Sequence, residues 1–170
     1  WQVWPYCNNR CKFCFLGEAN SQYIKERQHK SLNDLSQAID NLDFSQYNNI
    51  SLIGGEFFQG QLDDPETNKL FFDVIKKIFK LYADKKIGSM WLTATLTMGD
   101  QKDLYELLDL AESMGVLPVD GYSSSGLWLC TSWDAAGRFH TPELKQNWEN
   151  YVLAIQDKYP WIKFNTTNSF

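Results

Sequence analysis

Apolar residues come along this chain in two rhythms: short dense runs closed by turn formers, and longer stretches at helical spacing. Residues 1–6 alternate weakly and are bulky, which predicts a first strand ending at Pro5. Residues 15–30 are polar and without period. Ser31, with Asp34 three residues later, then predicts the capped start of a helix carrying Leu32, Leu35, Ile39 and Leu42 on one face. Residues 50–53 form a continuous apolar run stopped by Gly54 and Gly55, the pattern of a buried parallel strand. Asp64 ahead of Pro65 marks a second helix start, followed by a broad stripe of Leu70, Phe71, Val74, Ile75, Ile78, Phe79 and Tyr82.

The second half keeps the alternation. Residues 87–97 hold the β-branched and aromatic core of a third strand, and Leu104, Leu107, Leu108 and Ala111 mark a third helix. Residues 115–126, with Pro118, Asp120-Gly121 and three serines, read as a loop long enough to move or to act as a lid. Residues 127–132 form a fourth strand. Thr141 and Pro142 open a fourth helix with an apolar face of Leu144, Trp148, Tyr151, Val152 and Ile155, and residues 161–166 supply a fifth strand. Five strands alternating with four helices predict an α/β fold of right-handed β-α-β units around a parallel sheet. Both an open doubly wound sheet and part of a barrel satisfy the pattern.

A chain of 170 residues is one domain's worth, able to bury about two thirds of its unfolded surface. No apolar run approaches the roughly 18 residues of a membrane span, so a soluble protein with no membrane partner is expected. The chain opens on Trp1-Gln2-Val3-Trp4, without a methionine, basic flank or signal-like stretch, which points to a piece of a longer protein. Net charge is −5, and Lys76-Lys77 and Lys85-Lys86 fall on or beside a helix, so no phosphate-binding stripe forms and nucleic acid is not indicated.

Chemistry concentrates in one place. Cys7, Cys11 and Cys14 bring three of the four cysteines together, too crowded for an ordinary disulfide framework and better suited to a reducing, cytoplasmic compartment. Thiolates ligate iron–sulfur clusters and zinc, and short gaps let them share one inorganic centre. Three thiolates without a fourth nearby would leave one iron of a four-iron cluster open, and an open metal position usually serves chemistry. The spacing C-x3-C-x-aromatic-C, with Phe13 before Cys14, resembles the signature of the radical S-adenosylmethionine enzymes, and Gly54-Gly55-Glu56 after residues 50–53 resembles that family's glycine-glycine-glutamate segment. Phe57 stands where the family usually has proline.

The resemblance implies a 4Fe-4S cluster on Cys7, Cys11 and Cys14, with S-adenosyl-L-methionine chelating the fourth iron. An external electron donor such as flavodoxin or ferredoxin would reduce the cluster, and a 5'-deoxyadenosyl radical would abstract hydrogen from an unknown small-molecule substrate. It also implies a partial, incomplete TIM-like barrel, with residues 1–170 as the radical S-adenosylmethionine core domain truncated at one or both ends. Gly54, Gly55 and Glu56 would hold the methionine ammonium. Ser132-Trp133-Asp134 resembles the family's serine-x-aspartate near the cofactor ribose or carboxylate. The string around the cysteines also resembles the cluster loop of viperin-like nucleotide-modifying members.

Ligands of both architectures bind where parallel strands end. Every predicted strand ends in polar groups: the cysteines, Gly54-Gly55-Glu56, Thr95 and Thr97, Ser132 and Asp134, then Asn165 and Thr167. Of these, Thr95, Ser132 and Asp134 join the candidate cofactor residues. His29 and His140 lack partners at ligand spacing and are read as structural or exposed, Arg138 as a surface residue, and Cys130 as core. Two readings without catalysis stay open: a zinc module completed by Cys130 or a histidine, and an electron-transfer iron–sulfur protein.

Overall fold

The computed structural model describes residues 1–4, 6–7, 23–58, 60–94, 96, 101–119, 125–133 and 142–168. Strands β1 (Gln2–Trp4), β2 (Asn49–Gly54), β3 (Ser89–Thr93), β4 (Gly126–Trp133) and β5 (Lys163–Asn168) alternate with helices α1 (Lys25–Asn41), α2 (Pro65–Ala83), α3 (Gln101–Ser113) and α4 (Pro142–Lys158). All neighbouring strands are parallel, and their order across the sheet is their order in the chain. Right-handed crossovers that always advance in one direction put every helix on the same side. The sheet is therefore singly wound, an arc compatible with a partial barrel and not closed into one, and the doubly wound alternative is excluded.

Burial follows that geometry. Ile50 and Leu52 of β2, Met90 and Leu92 of β3, and Leu127 and Leu129 of β4 are buried in one core with the helices. Their alternates Ser51, Ile53, Trp91, Thr93, Trp128 and Cys130 are half-buried or exposed. Two expectations fall with this. Residues 50–53 are not buried throughout, because Ile53 is 41% exposed on the uncovered side. Cys130 is not core either: it is half-buried, in register with the exposed Thr93.

α2 forms as its sequence dictates. Asp64 accepts from the Thr67 amide at 2.9 Å and from its hydroxyl at 2.7 Å, with Pro65 at the first helical position. Phe71, Ile75, Ile78 and Phe79 are fully buried beneath it. α1 differs from expectation. It begins at Lys25, so Ser31 and Asp34 lie inside the helix instead of capping it, and the N-cap position Ile24 offers no side-chain hydrogen bond. Gln28 holds the added turn, fully buried and donating from Nε2 to the Val3 carbonyl at 3.1 Å. β3 ends at Thr93, earlier than expected, and Leu96 beyond it is buried with a left-handed φ of 59°.

The segment before β4 also departs from expectation. Tyr82 donates to the Leu117 carbonyl, and the Leu127 amide to that of Val116. The Gly126 amide bonds to Gly88 at the start of β3. These bonds place the described ends of residues 115–126 at the amino-terminal edge of the sheet, opposite the strand ends that would need a lid. Residues 120–124 lie outside the described residues. Among the described residues no helix is long and apolar enough to cross a membrane.

Candidate iron–sulfur site

Cys7 sits three residues past β1, half-buried and not in a disulfide. What positions it is the turn after β2. The amides of Gly55 and Glu56 donate to the carbonyls of Trp4 and Tyr6, at 2.5 and 3.0 Å, so the glycine turn and the approach to Cys7 share one ladder. Gly54 has φ +149°, and a Cβ on it would lie 2.5 Å from the Trp4 oxygen. A Cβ on Gly55 would lie 1.7 Å from the Tyr6 oxygen and 3.1 Å from the Cys7 Cβ. Only glycine permits that approach.

The turn has a structural role beside the one expected of it. The Gly55 and Glu56 amides are committed to the segment leading into Cys7, and the absent side chain of Gly55 leaves room for that segment first. Tyr6 and Cys7, at the entry to the cysteine motif, pack directly against the glycine turn. Beside them Glu56 is fully buried, a carboxylate enclosed next to Phe57 and Phe58. Phe57 has a packing role that proline could not fill: its ring lies 5.3 Å from Trp4 and 6.0 Å from Phe71, fastening the turn to β1 and α2.

Of the other predicted residues, Cys11, Cys14, Thr95, Thr97, Asp134, Arg138 and His140 lie outside the described residues. Ser132 lies in β4, its backbone in register with Thr167 of β5. Cys130 lies within β4, three strand spacings from β1, or about 14 Å across a flat sheet. Its thiol is pushed up to about 11 by burial, which opposes formation of a thiolate ligand there.

Sequence reasoning missed a charged cluster on the same rim, where α1 and α2 begin. His29 Nε2 lies 2.8 Å from the Thr67 hydroxyl, within 4 Å of Asp64, while its Nδ1 faces Glu66. Lys25 bridges Asp64 at 2.9 Å and Glu66 at 3.0 Å. The Thr67 amide and the Lys25 ammonium hold Asp64 down to about 2, and Asp64 and Glu66 push Lys25 up to about 12. The three side chains His29, Asp64 and Glu66 could surround a cation, but the Lys25 ammonium already neutralises both carboxylates. The cluster is a clasp between helix starts, consistent with His29 as a structural residue. Tyr23 extends it, touching Tyr6 edge to face and placing its hydroxyl 3.1 Å from Thr67. The signal for this clasp is spatial, because Lys25 and Asp64 are 39 residues apart in the chain.

Residues 3–125 match the family model described as the 4Fe-4S single cluster domain, more than half of the 170-residue chain. The chain belongs to that family. Comparison with curated proteins and with solved structures found no match. As a 4Fe-4S single cluster domain it contains all three clustered cysteines and the glycine turn within the matched span, which stops short of Cys130. The donor set fits such a cluster, since thiolate is its usual protein ligand.

Proposed function

We propose that this 4Fe-4S domain is a radical S-adenosylmethionine enzyme acting on a small molecule, with the cluster on Cys7, Cys11 and Cys14. The observation that carries the reading is the backbone contact between its two motifs. Gly55 abuts Tyr6 and Cys7, so the turn that the resemblance assigns to the cofactor lies against the first of the three cysteines assigned to the cluster. The family itself is one associated with radical S-adenosylmethionine enzymes.

When bound, the cluster and S-adenosylmethionine supply a 5'-deoxyadenosyl radical. The chain's own contribution is placement. Cys7 would bring a thiolate to the carboxyl end of β1, and with Cys11 and Cys14 it would hold the cluster, which would have an iron free to take the methionine amino and carboxylate groups. The carbonyl oxygens of Gly54 and Gly55 would be the acceptors for an ammonium, since the amides of Gly55 and Glu56 already donate to Trp4 and Tyr6. Thr95, Ser132 and Asp134 remain candidates for the ribose and carboxylate, and flavodoxin or ferredoxin for the electron donor. Cys130 is set apart from the ligand set by its strand position and raised thiol pKa, which disfavours the zinc site that Cys130 would complete and leaves the one completed by a histidine to the test below.

The test is anaerobic reconstitution with iron and sulfide, then reduction with S-adenosylmethionine present. The parent should bind about four irons per chain and form 5'-deoxyadenosine. The Cys7→Ala/Cys11→Ala/Cys14→Ala variant should do neither, and Cys130→Ala should keep its iron. Tight zinc binding without iron uptake, or a full cluster that yields no 5'-deoxyadenosine, would overturn the proposal.

A further inference from the structure

The sheet face that no helix covers carries one level row of side chains. Ser51, Trp91, Trp128 and Lys163 are successive register partners across β2, β3, β4 and β5. Partners in register on parallel strands project to the same side. The residues flanking them, among them Ile50, Leu52, Met90, Leu92, Leu127 and Leu129, are buried beneath the helices. The row therefore stands on the open side.

Its middle is aromatic. The rings of Trp91 and Trp128 lie 6.3 Å apart, tilted 35° to each other, and both residues are half-buried. Trp128 is oriented by its Nε1, which donates to the Ser125 carbonyl at 2.9 Å. The Nε1 of Trp91 is buried and has no acceptor among the described residues. Beside Trp128 stands Lys163, exposed and in no ion pair among the described residues. Two residues nearer the strand ends, the next row changes to Thr93 and Cys130. The aromatic row thus forms a floor about 7 Å below that rim.

Each part of the row selects one feature of a ligand. Indole faces favour a planar ring, and an ammonium one strand away favours an anionic group about 5 Å to the side. We propose that this floor binds a planar aromatic anion, its ring over Trp91 and Trp128 and its carboxylate or phosphate at Lys163. As the substrate site of the radical reaction it rests on the function proposed above; as a ligand site it rests on the face alone.

Calorimetric titration of the reconstituted protein, saturated with S-adenosylmethionine so that its own binding site is filled, tests this with two matched pairs. One pair is uridine 5'-monophosphate and uridine, the other indole-3-carboxylate and indole. The anionic member of at least one pair should bind about tenfold tighter than its neutral partner, and which pair does so separates phosphate from carboxylate. Lys163→Gln, at an exposed position, should abolish that preference, and Trp128→Leu should weaken both members roughly tenfold. No binding of any probe to the parent, or an unchanged preference in Lys163→Gln, overturns the inference. 5'-Deoxyadenosine formed without added substrate is measured alongside. Its absence in a parent that binds the probe with the expected preference overturns the radical function and leaves the ligand site standing.

Discussion

Gly55 and Gly115 would both resist a side chain, for opposite reasons. Gly115 has φ +68° with nothing within 4 Å of an added Cβ, so Gly115→Ala should cost only the left-handed backbone strain, about 1 kcal/mol in urea unfolding. Gly55→Ala would instead drive a methyl into the Tyr6 carbonyl and toward Cys7. It should cost about 3 kcal/mol and lower the iron bound on reconstitution; full iron content in that variant would show that the turn does not set the cysteine loop. Asp64 gives a pH signature. Its folded pKa is depressed from 3.8 to about 2 by the Thr67 amide and Lys25, so its stabilisation is present above pH 4 and is lost as pH falls toward 2. The melting temperature of Asp64→Asn should lie below the parent's at pH 7, and the gap should close between pH 4 and pH 2.

At the scale of elements, α2 is the keystone of the core. Ile75→Ala should destabilise by about 2–5 kcal/mol in denaturant titration, since the residue is fully buried in a closely packed layer. This helix was legible in the sequence because its cap, its first-turn proline and its stripe all agree. The first turn of α1 was not, because what anchors it is a buried glutamine bonded to a strand carbonyl, and hydropathy patterns record no such bond. A four-residue apolar run likewise could not show that Ile53 faces outward, since alternation needs more length to declare itself. The cysteine motif was plain from spacing alone. The work of Gly54 and Gly55 was not, because it depends on which backbone they abut, and contact between residues 6 and 55 is a product of the sheet.

For the whole molecule, strand order decides where chemistry can lie. A singly wound sheet carries its helices on one face, so among the described residues the tryptophan row stands on the face that no helix covers. β1 is the shortest strand of the sheet, its Val3 and Trp4 buried, and it is held to β2 by the Ile53 and Gly55 amides and by the Trp1 nitrogen on the Ser51 carbonyl. A short segment held by few backbone bonds can open locally at less than the cost of global unfolding. With Cys7 a few residues behind β1, cluster insertion and strand docking become linked equilibria, since anything that binds only the docked state stabilises it by mass action. Hydrogen–deuterium exchange should then show the Ile53 and Gly55 amides slowing on iron loading while those in the middle of α2 do not change. The short first strand would act as a latch that metal closes, and iron-starved protein would keep its helical layer while its first strand exchanges with solvent.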